Sequence, residues 1–406
     1  MGPGARLVTR VRLRNYKSIA LCDVALRPLT FVAGPNGAGK SNFLDGVRFV
    51  ADALRTTLDH AVRERGGISE VRRRSGGHPT DVAVRLDFEL PSGGFGHYAF
   101  RVGPREHLAY EIKEEQCAVH GPRALDTASF HVRAGRLVDT GVAPAPAVAK
   151  GRLYLVSASG LEPFGPVFDA LSRMGFYRLS PEAIGDLQPA DPGDLLAGDG
   201  SNVASVVERL AADGPGSLER VERFLAEIVP GVCGVEARSV GARQTVDFRQ
   251  EAAGSSAPWR FAAASMSDGT LRALGILVAL FQGRDGGGAS LVAVEEPELA
   301  LHPAAAAALA GAFREASLSR QVIVTTHSPD LLDQARLAED LVLAAEADGG
   351  IARIAPAELR GREALRARLY SVGDLLRRGE LGPDESAAAV RDDQMALFDP
   401  GPDEEG

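Results

Sequence analysis

Four groups of residues in this chain have the types and spacing for chemistry on a phosphate. "GPNGAGKS" is the glycine-rich pattern whose successive backbone N–H groups turn toward phosphate oxygens. Its residues Gly34, Pro35, Asn36, Gly37, Ala38, Gly39, Lys40 and Ser41, with Asn42 next to them, form the expected cradle. Lys40 should reach the β- and γ-phosphates, and Ser41 should place its hydroxyl on Mg²⁺. "VAVEEPELALHP" sets two carboxylates, Glu295 and Glu296, at the end of an apolar run. The first suits a Mg²⁺ shell and the second suits taking a proton from an attacking water. "VIVTTHSPDLL" carries His327 just past another apolar run, where a neutral imidazole can hydrogen-bond a γ-phosphate. "SMSDGTLRALG" puts Ser267 and Gly269 at a helix start, a positive end that attracts an anion. The plainer readings are a glycine turn, a solvated acidic loop, a structural histidine and an ordinary capped helix.

The flanking elements decide between these readings. Leu29 to Ala33 reads as a short buried strand, and Phe43, Val47, Val50, Leu54 and Leu58 repeat at three or four, the apolar stripe of a helix. Strand, loop and helix are the context that a phosphate loop needs. Leu291 to Val294 and Val322 to Val324 are uninterrupted apolar runs, the pattern of parallel strands covered on both faces. In an open α/β sheet, ligands gather at the carboxyl ends of such strands. Neighbouring strand residues point to opposite faces, so Glu295 and Glu296 can hold separate jobs. Pro303 opens an alanine-rich helix, Ser328-Pro329-Asp330 caps another, and Leu271, Leu274, Val278 and Phe281 give the helix after Ser267 one inward stripe.

Between these motifs the chain changes character. Residues 81–90 alternate apolar and polar and then turn at "PSGGFG", the signature of an antiparallel β lobe. "APAPAVAKG" reads as a linker, after which Ser180-Pro181, the stripe Val203, Val206, Val207 and Leu210, and the stripe Leu218, Val221, Leu225 and Ile228 mark short helices. No heptad is sustained, which excludes a long coiled-coil arm. The expected organisation is 1–142 for the N-terminal half of a nucleotide-binding head, 143–243 for a mostly helical insertion, 244–381 for the second half, and 382–406 for an acidic disordered tail.

The whole has 406 residues and a net charge of −9, but the tail alone holds eight acids against Arg391, so the body is close to neutral. Any nucleic-acid contact must therefore be local. "RERGGISEVRRRSGG" offers such a patch in Arg63, Arg65, Arg72, Arg73 and Arg74, a candidate DNA contact set against the blander reading of solvated loop arginines. No run of about 18 apolar residues and no signal-peptide core occur, so a cytoplasmic protein without a membrane partner is expected. Cys22, Cys117 and Cys233 are far apart, which indicates neither zinc nor a disulfide framework. Gln188 is a weak candidate for a further nucleotide-sensing glutamine.

The ordered set "VRLRNYKSI", "GPNGAGKS", "SMSDGTLRALG", "VAVEEPELALHP" and "VIVTTHSPDLL" resembles the ABC-type ATPase heads of the RecF and SMC kind. Within them it resembles the bacterial AAA-type ATPases related to the head of overcoming-lysogenization-defect nucleases. The resemblance implies an α/β P-loop NTPase head, with a mixed central sheet, helices and an antiparallel β lobe. It makes Lys40 and Ser41 the Walker A pair, Glu295 the Walker B acid, Glu296 the general base, His327 the switch histidine, and Ser267 with Gly269 the signature. In such heads the signature completes the γ-phosphate site of a second molecule, so ATP, Mg²⁺ and a homodimer are implied, in DNA repair or anti-phage defence. Alternatives are a nucleotide-sensing scaffold for a separate nuclease or toxin and, less favoured, the ATPase subunit of a transporter. Glu295 departs from the commoner aspartate. After Glu346 there is no room for a nuclease module, so a nuclease partner would be separately encoded. Gln394, Met395, Leu397 and Phe398 resemble the peptide by which bacterial repair proteins dock on the DNA sliding clamp, held extended by acidic surroundings.

Overall fold

The computed structural model describes residues 7–74, 81–105, 110–122, 127–214, 216–251, 254, 257–283, 288–358, 370–388 and 395–399. Strands β1 (Val8–Tyr16), β2 (Ile19–Ala25) and β3 (Leu29–Ala33) precede helices α1 (Lys40–Arg55), α2 (Leu58–Glu64) and α3 (Ile68–Val71). An antiparallel meander follows in β4 (Val82–Glu89), β5 (Phe95–Pro104), β6 (Tyr110–His120), β7 (Thr127–Arg133) and β8 (Arg136–Thr140). Residues 143–243 carry α4 (Tyr154–Ala158), α5 (Gly165–Ser172), β9 (Gly175–Tyr177), α6 (Pro181–Gly185), β10 (Gln188–Pro189), α7 (Val203–Ala212), α8 (Ser217–Ile228) and β11 (Val232–Val240). Then come β12 (Arg243–Gln250), β13 (Trp259–Ala262), α9 (Asp268–Phe281), β14 (Leu291–Glu295), α10 (Ala306–Ser317), β15 (Gln321–Thr326), α11 (Pro329–Leu332), β16 (Leu341–Asp348) and β17 (Ile351–Pro356).

Thirteen strands form one mixed sheet in the order β8-β7-β6-β5-β4-β1-β2-β17-β16-β3-β15-β14-β9. The meander side is antiparallel, while β16, β3, β15, β14 and β9 run parallel. All five residues of β3 and all six of β15 are buried, as expected for strands covered on both faces. Strand alternation divides them between two cores. Val32, Ala293 and Ile323 pack with Phe43, Val47, Val50 and Leu54 of α1, whereas Phe31, Val292, Val294 and Val324 pack with α9 and α10. Each fully buried aliphatic or aromatic side chain here contributes about 1.5–3 kcal/mol, so the two helices that begin at the glycine loop and at Ser267 are clamped to opposite faces of one sheet. A second sheet, β10-β12-β11 with β13 on β12, lies beside α7 and α8. Among the described residues no helix is long and apolar enough to cross a membrane.

Candidate functional site

The glycine loop sits where β3 ends, with β15 on one side and β16 on the other. A Cβ at Gly34 would lie 2.2 Å from the Ala345 carbonyl oxygen of β16, so only glycine lets the loop pass that strand. Gly39 has φ +97°, a left-handed conformation that favours glycine, and is followed by Lys40 as the first residue of α1. The Lys40 side chain is only 5% exposed. Its Nζ donates to the carbonyls of Gly34 at 2.8 Å and Pro35 at 3.0 Å. Burial holds this ammonium below its ordinary pKa, against the opposing charges of Glu296 and Glu298. Asn42 Nδ2 donates to Ser18 Oγ at 2.7 Å and so fixes the start of α1 to the β1–β2 turn.

The carboxylates arrive from β14. Ser41 Oγ donates to Glu295 Oε2 at 2.9 Å, across 254 positions of sequence. Glu296 then turns into a left-handed backbone, φ +44°, which costs about 1–2 kcal/mol for a residue with a Cβ. Its N–H donates to the Thr325 carbonyl at 3.0 Å, which helps to hold the turn. The result aims Glu296 Oε1 to 3.9 Å from Lys40 Nζ and 3.4 Å from His327 Nδ1. His327 Nδ1 is equally 3.4 Å from Glu298 Oε1, yet its alignment makes a hydrogen bond with neither.

Glu298 is a residue that sequence reasoning passed over. Its Oε1 accepts from Thr326 Oγ1 at 2.7 Å and from the His327 backbone N–H at 2.9 Å, locking the turn that presents the imidazole. The third acid of "EEPE" was the only signal for it.

Ser267 caps α9: its Oγ accepts from the Thr270 N–H at 3.3 Å and lies 2.9 Å from Thr270 Oγ1. A Cβ at Gly269 would meet the Ala300 carbonyl oxygen at 2.4 Å, so the start of α9 rests on the loop that follows Glu298. Arg272, one turn further, has a buried Nε without a hydrogen-bond partner among the described residues. Burial lowers its pKa, and the charges of Asp268, Glu296 and Glu298 oppose that shift; it too was missed. Thus Lys40, Ser41, Glu295, Glu296 and His327 converge at the ends of β3, β14 and β15. Ser267 and Gly269 do not join them: among the described residues no hydrogen bond or ion pair links either to residues 34–42.

The donor set fits Mg²⁺ with a nucleotide. A hydroxyl and a carboxylate already in contact are hard oxygen ligands, and Mg²⁺ ordinarily completes its shell with water and phosphate. Among the described residues no group of three or more His, Cys, Asp or Glu forms a self-sufficient metal site. Gln188, the weak candidate for a nucleotide-sensing glutamine, is bonded within the fold. Its amide donates to the Ala183 carbonyl and accepts from the Ala204 N–H, both at 2.9 Å, which spends it on tying the start of α7 to α6.

Two partner expectations need correction. Arg65 is not the solvated loop arginine expected: its side chain is 6% exposed, bonded to Asp45 and Asp52, and lies 5.1 Å over the Phe49 ring. Burial works to lower its pKa, but Tyr16, Asp45 and Asp52 outweigh that and raise it. Arg63 and Arg74 stay on the surface, paired with Asp59 and Glu70. Arg65, Arg72, Arg73 and Arg74 share a cavity of about 410 Å³ with Lys17, Asn42 and Glu70.

In the tail, Gln394 lies outside the described residues, and its neighbours are not held free and extended. Met395 and Leu397 are buried against Ala83 of the β lobe, with Leu21 and Phe398 packed alongside. Asp399 pairs with Arg85 at 2.8 Å, and its backbone N–H donates to Gln116 Oε1 at 2.8 Å. Burial of two apolar side chains outweighs the acidic character of the segment, so docking on another protein requires its release.

A model of the family described as "AAA domain, putative AbiEii toxin, Type IV TA system" matches residues 29–106 and 149–333. Over 115 residues the chain is 31% identical to structural maintenance of chromosomes protein 1 of Schizosaccharomyces pombe, a match that takes in 26% of this chain and 9% of that much longer protein. Among solved structures, an Smc head bound to the C-terminal winged-helix domain of ScpA superposes with a TM-score of 0.57 at 14% identity, covering 89% of this chain and 99% of that one. An Smc head with an extended coiled coil, bound to the C-terminal domain of ScpA derived from Pyrococcus furiosus, gives 0.54 at 12% identity, covering 90% and 100%. At such identities the likeness is one of fold, and the fold is the ABC-type P-loop head.

Proposed function

The chain belongs to the AAA-domain family that matches it over residues 29–106 and 149–333, with the head fold of RecF- and SMC-like ATPases, and from that premise we propose that it binds ATP with Mg²⁺ and hydrolyses it as a homodimer. The observation that carries the reading is the 2.9 Å contact between Ser41 and Glu295, with Glu296 and His327 beside it. Bound Mg²⁺ would neutralise charge on the phosphate oxygens, held by Ser41 and Glu295. Lys40 exchanges the carbonyls of Gly34 and Pro35 for phosphate oxygens. Glu296 Oε1, aimed by its left-handed backbone, accepts the proton of the attacking water. His327 keeps Nδ1 between two carboxylates and offers its other ring nitrogen to the γ-phosphate. Residues Gly34 to Asn42 cradle the triphosphate through backbone N–H groups and the start of α1.

The capped start of α9, with Ser267 and Gly269, has no partner in its own glycine loop, which leaves it for the nucleotide of a second copy. The setting is DNA repair or anti-phage defence, and the toxin–antitoxin wording of the family description favours defence, with any nuclease supplied by another protein. Glu296→Gln should slow steady-state ATP hydrolysis by about 10²-fold or more; wild-type turnover in that variant would remove Glu296 from the role. Lys40→Ala and Ser267→Arg chains, each inactive alone, should regain turnover when mixed. An active single subunit would refute the shared site.

A further inference from the structure

At the rim of the β lobe a cavity of about 760 Å³ opens between the ends of β5, β6 and β7 and residues 148–152, sharing no wall with residues 34–42. Arg105, Lys150 and Arg152 line it, are exposed, and their side chains have no hydrogen-bond or ion-pair partner among the described residues. Lys113 joins them through a β-bulge, with its ammonium 3.7 Å from Asp81 Oδ1. Arg101 opposes Glu114 and Val102 opposes Ile112, which leaves Lys113 unpaired in the ladder. Its stem crosses Gly103, where a Cβ would lie 2.2 Å from Lys113 Cε. Bulges of this kind re-aim a side chain. Arg101 and Arg133 reach the same space while sharing the single carboxylate of Glu114, at 2.7 and 2.9 Å.

The lining acids do not cancel these charges. Among the described residues there are two, Glu111 and Glu115, and Glu115 is committed to the N–H groups of Tyr154 and Leu155 and to the Tyr98 hydroxyl. A chain with a net charge of −9 thus gathers three cations without a partner among the described residues, Arg105, Lys150 and Arg152, in one concavity with Lys113, where the field is focused. Ile112, Val132, Val148 and Tyr110 give the wall an apolar and aromatic side. Cations that line one cavity of about 760 Å³, beside an apolar and aromatic wall and in a volume typical of small-molecule sites, differ from the stripe that a duplex backbone requires.

We propose that this cavity is a second nucleotide site, taking the polyphosphate of a nucleoside di- or triphosphate on Arg105, Lys150, Arg152 and Lys113 and its base against Tyr110 and the aliphatic wall. The test is the stoichiometry of ATP binding by equilibrium dialysis, with ATP up to about 1 mM, the upper end of ordinary enzyme sites. Four proteins are compared: wild type, Lys40→Ala, the triple variant Arg105→Glu/Lys150→Glu/Arg152→Glu, and their combination. Two ATP per chain are expected in wild type, one in each variant and none in the combination, with the affinity of the second site at least tenfold weaker in the triple variant. The three reversed side chains are exposed, so the melting temperature should hold. One ATP per wild-type chain that vanishes in Lys40→Ala would overturn the proposal. So would a triple variant that loses binding of a short DNA duplex while keeping ATP stoichiometry. A single wild-type site lost only in the triple variant would instead support this cavity and refute the glycine loop as a nucleotide site.

Discussion

Glu298 offers the sharpest test of how the site is held. Its carboxylate is 16% exposed and accepts from Thr326 Oγ1 at 2.7 Å and the His327 N–H at 2.9 Å. Glu298→Ala leaves both donors without an acceptor. An unsatisfied donor costs about 1–3 kcal/mol; the partial exposure of His327, at 36%, places its N–H at the low end, and the buried Thr326 hydroxyl costs at least as much, so at least about 2 kcal/mol of positioning is lost. If the imidazole acts only once the γ-phosphate is being transferred, that energy appears in kcat as a fall of about 30-fold or more, with KM for ATP little changed. Glu298→Gln keeps the accepting Oε1 and loses only the charge, so it should stay within about threefold of wild type. Steady-state hydrolysis, with a melting curve for each variant, reads both effects. An alanine variant turning over within about twofold of wild type would show that His327 is not positioned by Glu298. A glutamine variant as slow as alanine would show that the charge, not the accepting oxygen, is what matters.

Arg65→Ala should destabilise the chain by about 1–3 kcal/mol, because it takes the buried partner from Asp45 and Asp52, which among the described residues keep only Lys17 and Tyr16, and Arg48 and Arg55, whereas Arg63→Ala on the surface should change urea unfolding by under about 0.5 kcal/mol. Equal effects would contradict the burial of Arg65. Burial pushes the Glu115 carboxyl up to about 7, against the N–H groups of Tyr154 and Leu155 and the Tyr98 hydroxyl, from an ordinary 4.5. Because the folded value is the higher one, the stability tied to this group is full below pH 4.5 and declines until pH is about 7, by about 3 kcal/mol. Melting temperature should therefore fall across that window more steeply in wild type than in Glu115→Gln, which starts lower but runs flatter; parallel curves would contradict the shift. Leu397→Asp should release residues 395–399 from Ala83 and Arg85 at a cost of about 1–3 kcal/mol, seen as a lower melting temperature, and an unchanged one would mean that the segment does not hold to the lobe.

Much of the site could be read from the chain because its parts are local. The glycine loop needs only neighbouring residues to turn the backbone, the caps at Ser180, Ser267 and Ser328 each bond an N–H three residues on, and the apolar runs of β3, β14 and β15 announce strands covered on both faces. Those runs also order the strand ends, since each is followed at once by its polar residues. Glu298 was harder to see because its partners, Thr326 and His327, come from another strand. Lys113 was invisible for a related reason: a bulge depends on the register between β5 and β6, and a side-chain period of two says nothing of a skipped residue.

Which residues can carry phosphate chemistry is written locally, because glycine geometry, strand burial and helix capping act over a few positions. Which of them meet depends on how the elements pack. Ser41 reaches Glu295 because β3, β15 and β14 are neighbours in one sheet, and Ser267 stays apart because α9 is packed on the face opposite α1. The same long-range packing took Arg65 out of the surface and drew Met395 and Leu397 onto the β lobe. Such pairings depend on which distant apolar surfaces cover one another, and that free energy belongs to the assembled fold and not to any one segment.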